Sequence, residues 1–336
     1  MRNDLGFSDN LAAMKKILIL GGTGFVGRHV CEKLARLNIR VTVPTRRRSN
    51  AQNIQSLPML DVLEADIHDP KALAALVAGH DAVVNLVAIL HGNEAAFERA
   101  HVALPQSLVA ACKQTGVKRI VHVSALGAAL DAPSMYQRSK ARGEAVLTSS
   151  GLDVTVLRPS VIFGADDKFL NMFAKLQSVF PVMPIAGATT KFQPVWVEDV
   201  AQAVVNCLGT SCASQIYAKN QIIEACGPDV FTLKELVKLS AMAAGINHGR
   251  GRPVLSLSPF LGSLQAMAMR FLPGEPLITQ DNLDSMNVDN VAFGKLPGLA
   301  ALNVTPSSLI AIVPTYLGNR SVLRKQLAFR KTAGRF

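Results

Sequence analysis

"KILILGGTGFVGRHVCEKLARL", residues 16–37, sets the frame for the rest of the chain. Ile17, Leu18, Ile19 and Leu20 have the length and branching of a strand buried on both faces, as the strands of a parallel sheet are. Gly21, Gly22, Gly24 and Gly27 follow at once. After them Val26, Val30, Leu34 and Leu37 recur at helical spacing with Arg28, Glu32, Lys33 and Arg36 between them, which predicts an amphipathic helix. A strand that enters a helix through glycines suits phosphate. Without side chains in the way, main-chain N–H groups and the helix N-terminus can approach a pyrophosphate, and the last glycine lets helix and strand pack closely. The spacing Gly22-x-Gly24-x-x-Gly27 has meaning because it stands between a predicted strand and a predicted helix. A glycine turn with no ligand is the alternative reading.

Outward from this stretch the alternation continues. "IRVTVPTR" places Ile39, Val41 and Val43 on a second strand, and "LDVLEAD", ending at Asp66, is a third. Asp69-Pro70 is a helix start, and "DAVVNLVAIL", residues 81–90, is a fourth strand. A long helix over 94–115, a fifth strand and turn in "KRIVHVSALGA", a helix over 134–149 and a sixth strand in "LDVTVLRPSVIFG" follow. Strands separated by helices predict an α/β fold with a doubly wound parallel sheet of the Rossmann kind and a smaller C-terminal substrate-side region.

Four regions are expected. Residues 1–13 form a flexible N-terminal extension and 14–165 the dinucleotide-binding domain. Residues 166–290 form the substrate-side region, whose strand 192–197 and helix from Asp199 return to the sheet, and 291–336 a basic C-terminal segment. Within the third region, Phe260, Leu261, Leu264, Met267, Ala268, Phe271 and Leu272 make one helical stripe over 259–272, expected to pack on the core. A membrane-facing or quinone-facing surface is the alternative.

With 336 residues, 49% of them hydrophobic, the chain can bury a large core. Cys31, Cys112, Cys207, Cys212 and Cys226 form no CxxC pair and no metal-ligand spacing with the histidines, so neither a disulfide framework nor a metal site is expected. The first thirteen residues lack an apolar core segment, which argues against a secretion signal. No run reaches the roughly 18–20 apolar residues of a membrane-spanning helix. The expected location is cytoplasmic, with a peripheral position at the inner membrane as a variant. The net charge of +11 is concentrated late: after Asp289 no acidic residue occurs, while Lys295, Arg320, Arg324, Lys325, Arg330, Lys331 and Arg335 do. Such a tail suits an anionic membrane surface, an acidic partner or nucleic acid. A solvated extension is the plainer reading, and nothing else in the chain points to nucleic acid.

The end of the second strand selects the nucleotide, because a carboxylate there bonds a ribose 2′-OH whereas arginine accommodates a 2′-phosphate. Thr45, Arg46, Arg47 and Arg48 stand at that place. NADP(H) is therefore preferred, NAD(H) remaining possible, with Asp66 and Ile67 expected near the adenine. Tyr136 and Lys140 share one helix face, and Ser124 ends the preceding strand at the carboxyl edge, where ligands bind. A tyrosine of ordinary pKa near ~10 is a poor base at neutrality. A neighbouring ammonium would favour its phenolate while a serine hydroxyl holds a substrate oxygen.

On these residues the chain resembles the extended or atypical short-chain dehydrogenase/reductases, a family also described as epimerase/dehydratase-like. "GGTGFVG", "VSALGA", "YQRSKARGE", "LRPSVIFG" and "VWVEDVAQAV" follow in the family's order over residues 16 to about 205. The stretches "FERAHVALPQSLVAACKQTGVKRIVHVSALGA" and "YQRSKARGEAVL" resemble the branch that contains the NADPH-binding accessory subunit of respiratory complex I. The resemblance implies cofactor contacts at Gly21, Thr23, Gly24, Phe25, Val26 and Gly27, at Ala88 near the ribose, and at Pro159 with Ser160 beside the nicotinamide, with Tyr136 and Lys140 serving both cofactor and catalysis. It implies Ser124, Tyr136 and Lys140 as catalytic groups acting on a small-molecule or quinone-type substrate.

His101 stands where many family members carry asparagine, which argues against sugar-nucleotide epimerase or dehydratase chemistry. Asp199 is expected to cap its helix. His29, His68, His80, His91, His122 and His248 are expected at the surface or in loops. Two functions are carried forward: hydride transfer between NADP(H) and a carbonyl, alcohol or quinone, or, as the resemblance implies, a nucleotide-bound accessory or sensor protein of a respiratory complex or of quinone metabolism, without turnover and in contact through the basic tail and the 259–272 stripe. A sugar-nucleotide epimerase or dehydratase is the minor alternative.

Overall fold

The computed structural model describes residues 16–209, 220–269 and 278–318. The N-terminal extension, Cys212, the far end of the 259–272 stripe and residues 319–336 of the basic segment lie outside the described residues.

The elements alternate as the sequence predicts. They run β1 (Lys16–Leu20), α1 (Phe25–Arg36), β2 (Arg40–Thr45), β3 (Leu60–Glu64), α2 (Pro70–Val77), β4 (Ala82–Asn85), α3 (Glu94–Glu98), α4 (Leu104–Thr115), β5 (Arg119–Val123), α5 (Met135–Thr148) and β6 (Asp153–Pro159). The predicted helix over 94–115 is α3 and α4 joined by a π-helical turn, Arg99–Ala103. The main sheet is parallel and seven-stranded: a later strand, β11 (Ile222–Ala225), stands at one edge, followed by β6-β5-β4-β1-β2-β3. Successive residues of β1 serve opposite faces. Ile17 and Ile19 join Val30, Leu34, Val200 and Val204 in one core, and Leu18 and Leu20 join Leu73, Val77, Leu104 and Leu108 in the other. A strand covered on both sides has no use for polar residues, hence the unbroken apolar run.

After β6 come β7 (Ile162–Phe163), α6 (Leu170–Val179), β8 (Met183–Ile185), β9 (Lys191–Phe192), β10 (Val195–Trp196), α7 (Val197–Cys207), β11 (Ile222–Ala225), β12 (Phe231–Thr232), α8 (Leu233–Ala243), β13 (Val254–Ser256), α9 (Pro259–Met269) and α10 (Gln280–Ser285). Here the expectation needs correction. Residues 195–196 pair with β7 outside the main sheet, and the seventh strand is β11, parallel to β6. Only the helix returns, α7 packing on α1. The basic C-terminal segment is also not separate up to residue 318. Leu299, Leu302 and Val304 join the α1/α7 core, and Leu309, Val313 and Leu317 join Phe163, Phe173, Leu236 and Val237 in a core of the substrate-side region.

Candidate active site

Chain connections leave β1 and β4 in opposite directions, and the crevice at their carboxyl ends is where doubly wound sheets bind ligands. The glycine turn that enters it is tightly built. Gly21 has φ +84°, and a Cβ there would stand 3.3 Å from the Val87 nitrogen, so the loops after β1 and β4 touch. A Cβ on Gly27 would lie 2.3 Å from the Gly21 carbonyl oxygen, which only glycine allows. α1 has Gly24 as its N-cap, with no capping side chain and no acidic residue in the first turn. Its first amides, from Phe25 and Val26 beside Thr23 and Gly24, thus favour an anion. The Phe25 ring meets His29 edge-on at 5.9 Å and lies under the Arg28 guanidinium at 5.6 Å.

Beyond β2, Arg46 and Arg47 are exposed, and the Thr45 hydroxyl donates to the Arg47 carbonyl at 3.1 Å. Asp66 accepts from the His68 amide at 2.9 Å, while Ile67 packs into the core beneath. His68 titrates below its ordinary range because of burial and the nearby Arg99 and Arg46 cations, with Asp66 opposing. Arg99 therefore joins Arg46 around this end of the crevice. Sequence reading missed it, because only the π-helical turn brings residue 99 there.

At the other end Ser124 follows β5. Its buried hydroxyl has no protein hydrogen-bond partner. Lys140, fully buried, donates from Nζ to the Val123 carbonyl at 2.9 Å, so its side chain is tied to the same strand end. Burial pulls its pKa down to about 8 against the favourable Glu144 charge. The half-buried Tyr136 is pushed up to about 12 by desolvation. Desolvation of the phenol, and a Lys140 ammonium turned to the Val123 carbonyl, both oppose the phenolate expected from a neighbouring ammonium.

His101 organises the surroundings of Tyr136. In the π-helical turn its Nε2 accepts from the Ile89 amide at 3.1 Å, and its Nδ1 lies 2.8 Å from the Ser139 hydroxyl. The Ser139 hydroxyl donates to the Tyr136 carbonyl at 2.8 Å. One hydroxyl proton cannot serve both contacts, so the imidazole proton is assigned to Nδ1. The imidazole stands edge-on to the Tyr136 ring at 5.6 Å. Burial and then Lys140 push its pKa down to about 3, keeping it neutral. Gly143 makes the approach possible, because a Cβ there would fall 1.9 Å from the His101 carbonyl oxygen.

The substrate-side region closes on this corner. Asp281, in α10, accepts from the Met135 amide at 2.6 Å and the Tyr136 amide at 3.1 Å, capping α5. The Ser160 hydroxyl donates to Asn290 Oδ1 at 2.6 Å, and Asn290 Nδ2 donates to the Leu126 carbonyl at 3.4 Å. Pro159, buried at the end of β6, accepts from the Leu126 amide at 2.8 Å, and Ala88 is exposed in the loop after β4.

Two further expectations change. Asp199 is not the cap of α7, which begins at Val197 after Trp196. Its carboxylate accepts instead from the Ser307 amide and hydroxyl, at 2.7 and 3.2 Å. His80 and His122 are buried rather than at the surface, His80 against the Thr42 hydroxyl at 2.8 Å. His29 and Lys33 hold Glu198 at 2.6 and 2.9 Å, and Glu32 lies close by, a cluster that linear spacing could not reveal.

The residues fit a nicotinamide dinucleotide: a glycine cradle that any Cβ would fill, a helix start free of side-chain caps, and an unpartnered buried hydroxyl at the far end of the crevice. Fold and crevice together define a dinucleotide-binding protein of the doubly wound α/β class. The family model described as NAD(P)H-binding matches residues 21–211, and the chain belongs to that family, with the resemblance to the short-chain dehydrogenase/reductases upheld. It is 31% identical over 327 residues to NADH dehydrogenase (ubiquinone) 1 alpha subcomplex subunit 9, mitochondrial, of Mus musculus, covering 93% of this chain and 80% of that protein. It is 26% identical to the ceramide reductase of Caulobacter vibrioides, covering 75% of this chain and 76% of that one. Among solved structures, an NADPH-dependent quinone oxidoreductase from Escherichia coli complexed with NADPH superposes with a TM-score of 0.70 at 20% identity. That match covers 88% of this chain and 98% of the other, and shows the shared fold.

Proposed function

We propose that this protein is an NADPH-dependent reductase acting on the carbonyl of a largely apolar, quinone-type or long-chain molecule. The observation that carries the reading is the buried Ser124 hydroxyl without a protein partner, one residue from the carbonyl that anchors Lys140. The nucleotide, when bound, supplies the hydride. Ser124 donates to the substrate oxygen, and Tyr136, protonated at neutral pH, delivers the proton that balances the hydride. Lys140 orients the end of β5 and adds positive charge near the developing alkoxide. Arg46, Arg47 and Arg99 favour the 2′-phosphate of NADPH over NADH. The apolar substrate class draws support from relatives named for ceramide and for a farnesyl quinoline oxide.

A second reading, a nucleotide-holding accessory protein of a respiratory complex, is favoured by the mitochondrial relatives and by the Asp281 and Asn290 latches over the Tyr136 corner. The two separate by experiment. Nucleotide released on denaturing the purified protein is identified, and NADPH consumption is then followed optically with carbonyls and quinones. Exchangeable NADPH oxidised by one compound class supports the reductase, and Tyr136→Phe then abolishes turnover while nucleotide affinity stays within about threefold. Tightly held NADPH that no compound oxidises supports the accessory reading. Undiminished turnover in Tyr136→Phe excludes the proton-transfer role.

A further inference from the structure

The described part of the 259–272 stripe, residues 259–267, does not pack on the core as the periodicity suggests. α9 turns its small residues inward. Gly262 and Ala266 are buried, and a Cβ on Gly262 would stand 2.6 Å from that of Ala186. The large side chains face out: Phe260 is 76% exposed, Met267 53%, Leu264 48% and Leu261 47%. This inverts the usual arrangement, in which the bulky stripe of a surface helix is the buried one. The patch extends beyond α9. Gln265 donates to the Pro184 carbonyl at 3.4 Å, Pro184 is the register partner of the exposed Leu255, and the exposed Val179 and Phe180 lead into the same strand pair. A contiguous apolar surface of this kind marks a binding face.

Charge identifies what covers it. From Leu236 to Gly274 the sequence carries Lys238, Arg250, Arg252 and Arg270 and no acidic residue, and the two acids of α10, which packs on α9, are engaged within the fold, Asp281 by the Met135 and Tyr136 amides and Asp284 by the Gln280 side chain. Lys238 and Arg250 are exposed, as is Lys175 on α6. An apolar helix face within a cationic, acid-free stretch matches a bilayer surface of anionic phospholipid: acyl chains take the large side chains and headgroups take the cations. We propose that α9, with Leu255 and Phe180 beside it, is the surface by which this protein lies on an anionic membrane. No described helix is long and apolar enough to cross one. The inference stands apart from the proposed reductase activity, since it concerns a face outside the crevice.

The test is sedimentation of the full chain with vesicles of phosphatidylglycerol and phosphatidylcholine, at low and high salt, alongside the variant Phe260→Ser with Leu264→Ser. Both positions are solvent-facing, so the double variant keeps the parent melting temperature. Its partition onto anionic vesicles should fall by about tenfold or more, while the parent binds and loses part of that binding in salt. A variant with Lys325, Arg330 and Lys331 changed to Gln should still bind more strongly than the double Ser variant. Parent-like binding by the double Ser variant overturns the proposal and assigns contact to the basic tail. A parent that ignores vesicles but dimerises by light scattering, with dimers lost in the double Ser variant, overturns it in favour of a second copy of the chain.

Discussion

Among single residues, the groups around the crevice divide into exposed cations at one end and side chains that hold others in place at the other. Arg46, Arg47 and Arg99 are exposed cations at one end, where the proposed reading seats the 2′-phosphate of NADPH. Replacing Arg46 and Arg47 together with Ala should weaken NADPH binding by about tenfold or more and leave NADH within about threefold, as read by nucleotide titration. Equal losses for both nucleotides would show that these arginines do not read the phosphate. At the other end His101 touches Tyr136 only through Ser139 and a ring edge, which makes it a positioning residue. Its identity as a departure from the family pattern was visible in the sequence. Its partners, Ile89 and Ser139, were not, because they lie across a loop and on another helix.

At the level of elements, α5 carries Tyr136 and Lys140, and its placement depends on three contacts from elsewhere. The π-helical turn seats against Gly143, the Glu144 carboxylate pairs with Arg158 on β6, and Asp281 caps the first turn. Asp281→Ala removes the acceptor for two half-buried amides. It should cost roughly 1–2 kcal/mol, seen as a lower melting temperature. Amide exchange at Met135 and Tyr136 should speed up in the same variant. Unchanged exchange there would mean that α10 does not hold the helix. Helix periodicity and the Ser124/Tyr136/Lys140 spacing placed α5 correctly, yet nothing in the sequence linked residue 281 to residue 135, since capping by a distant carboxylate leaves no local pattern.

Across the whole molecule, buried titratable groups set the pH window of stability. His101 has a folded pKa near 3 against an ordinary 6.5. The unfolded chain therefore binds more protons in that interval, and stability falls as pH drops below 6.5. Glu198, lowered from 4.5 to about 2 by its hydrogen bond to His29 and its contacts with Lys33 but opposed by burial, adds a further loss as pH falls through that range. On the alkaline side Cys31, Cys112, Cys207 and Cys226 are raised by burial from 9.0 to about 12. Above 9.0 the unfolded chain loses those protons first, so stability declines with rising pH. Lys140, lowered to about 8, acts in the opposite sense: the unfolded lysine holds its proton longer, which favours the folded state as pH rises. Melting curves should therefore peak between about pH 6.5 and 9. Lys140→Met should steepen the alkaline fall and Cys31→Ala should soften it. A flat alkaline limb in the parent would contradict the buried thiols.

The sequence by itself determined the alternating α/β order, the parallel sheet and the nucleotide-binding turn. Each rests on local physics: unbroken apolar strands, helical periodicity, and glycines where a Cβ would strike backbone. It also placed Ser124, Tyr136 and Lys140 on the elements that reach the carboxyl edge. Only the tertiary structure decided that Lys140 faces the Val123 carbonyl, that β11 rather than residues 192–197 completes the sheet, that Asp281 and Asn290 close the Tyr136 corner, and that α9 presents its large side chains to solvent. These depend on which surfaces meet across long separations in the chain. A periodic apolar stripe records that a helix has a sticky face without recording what that face will touch.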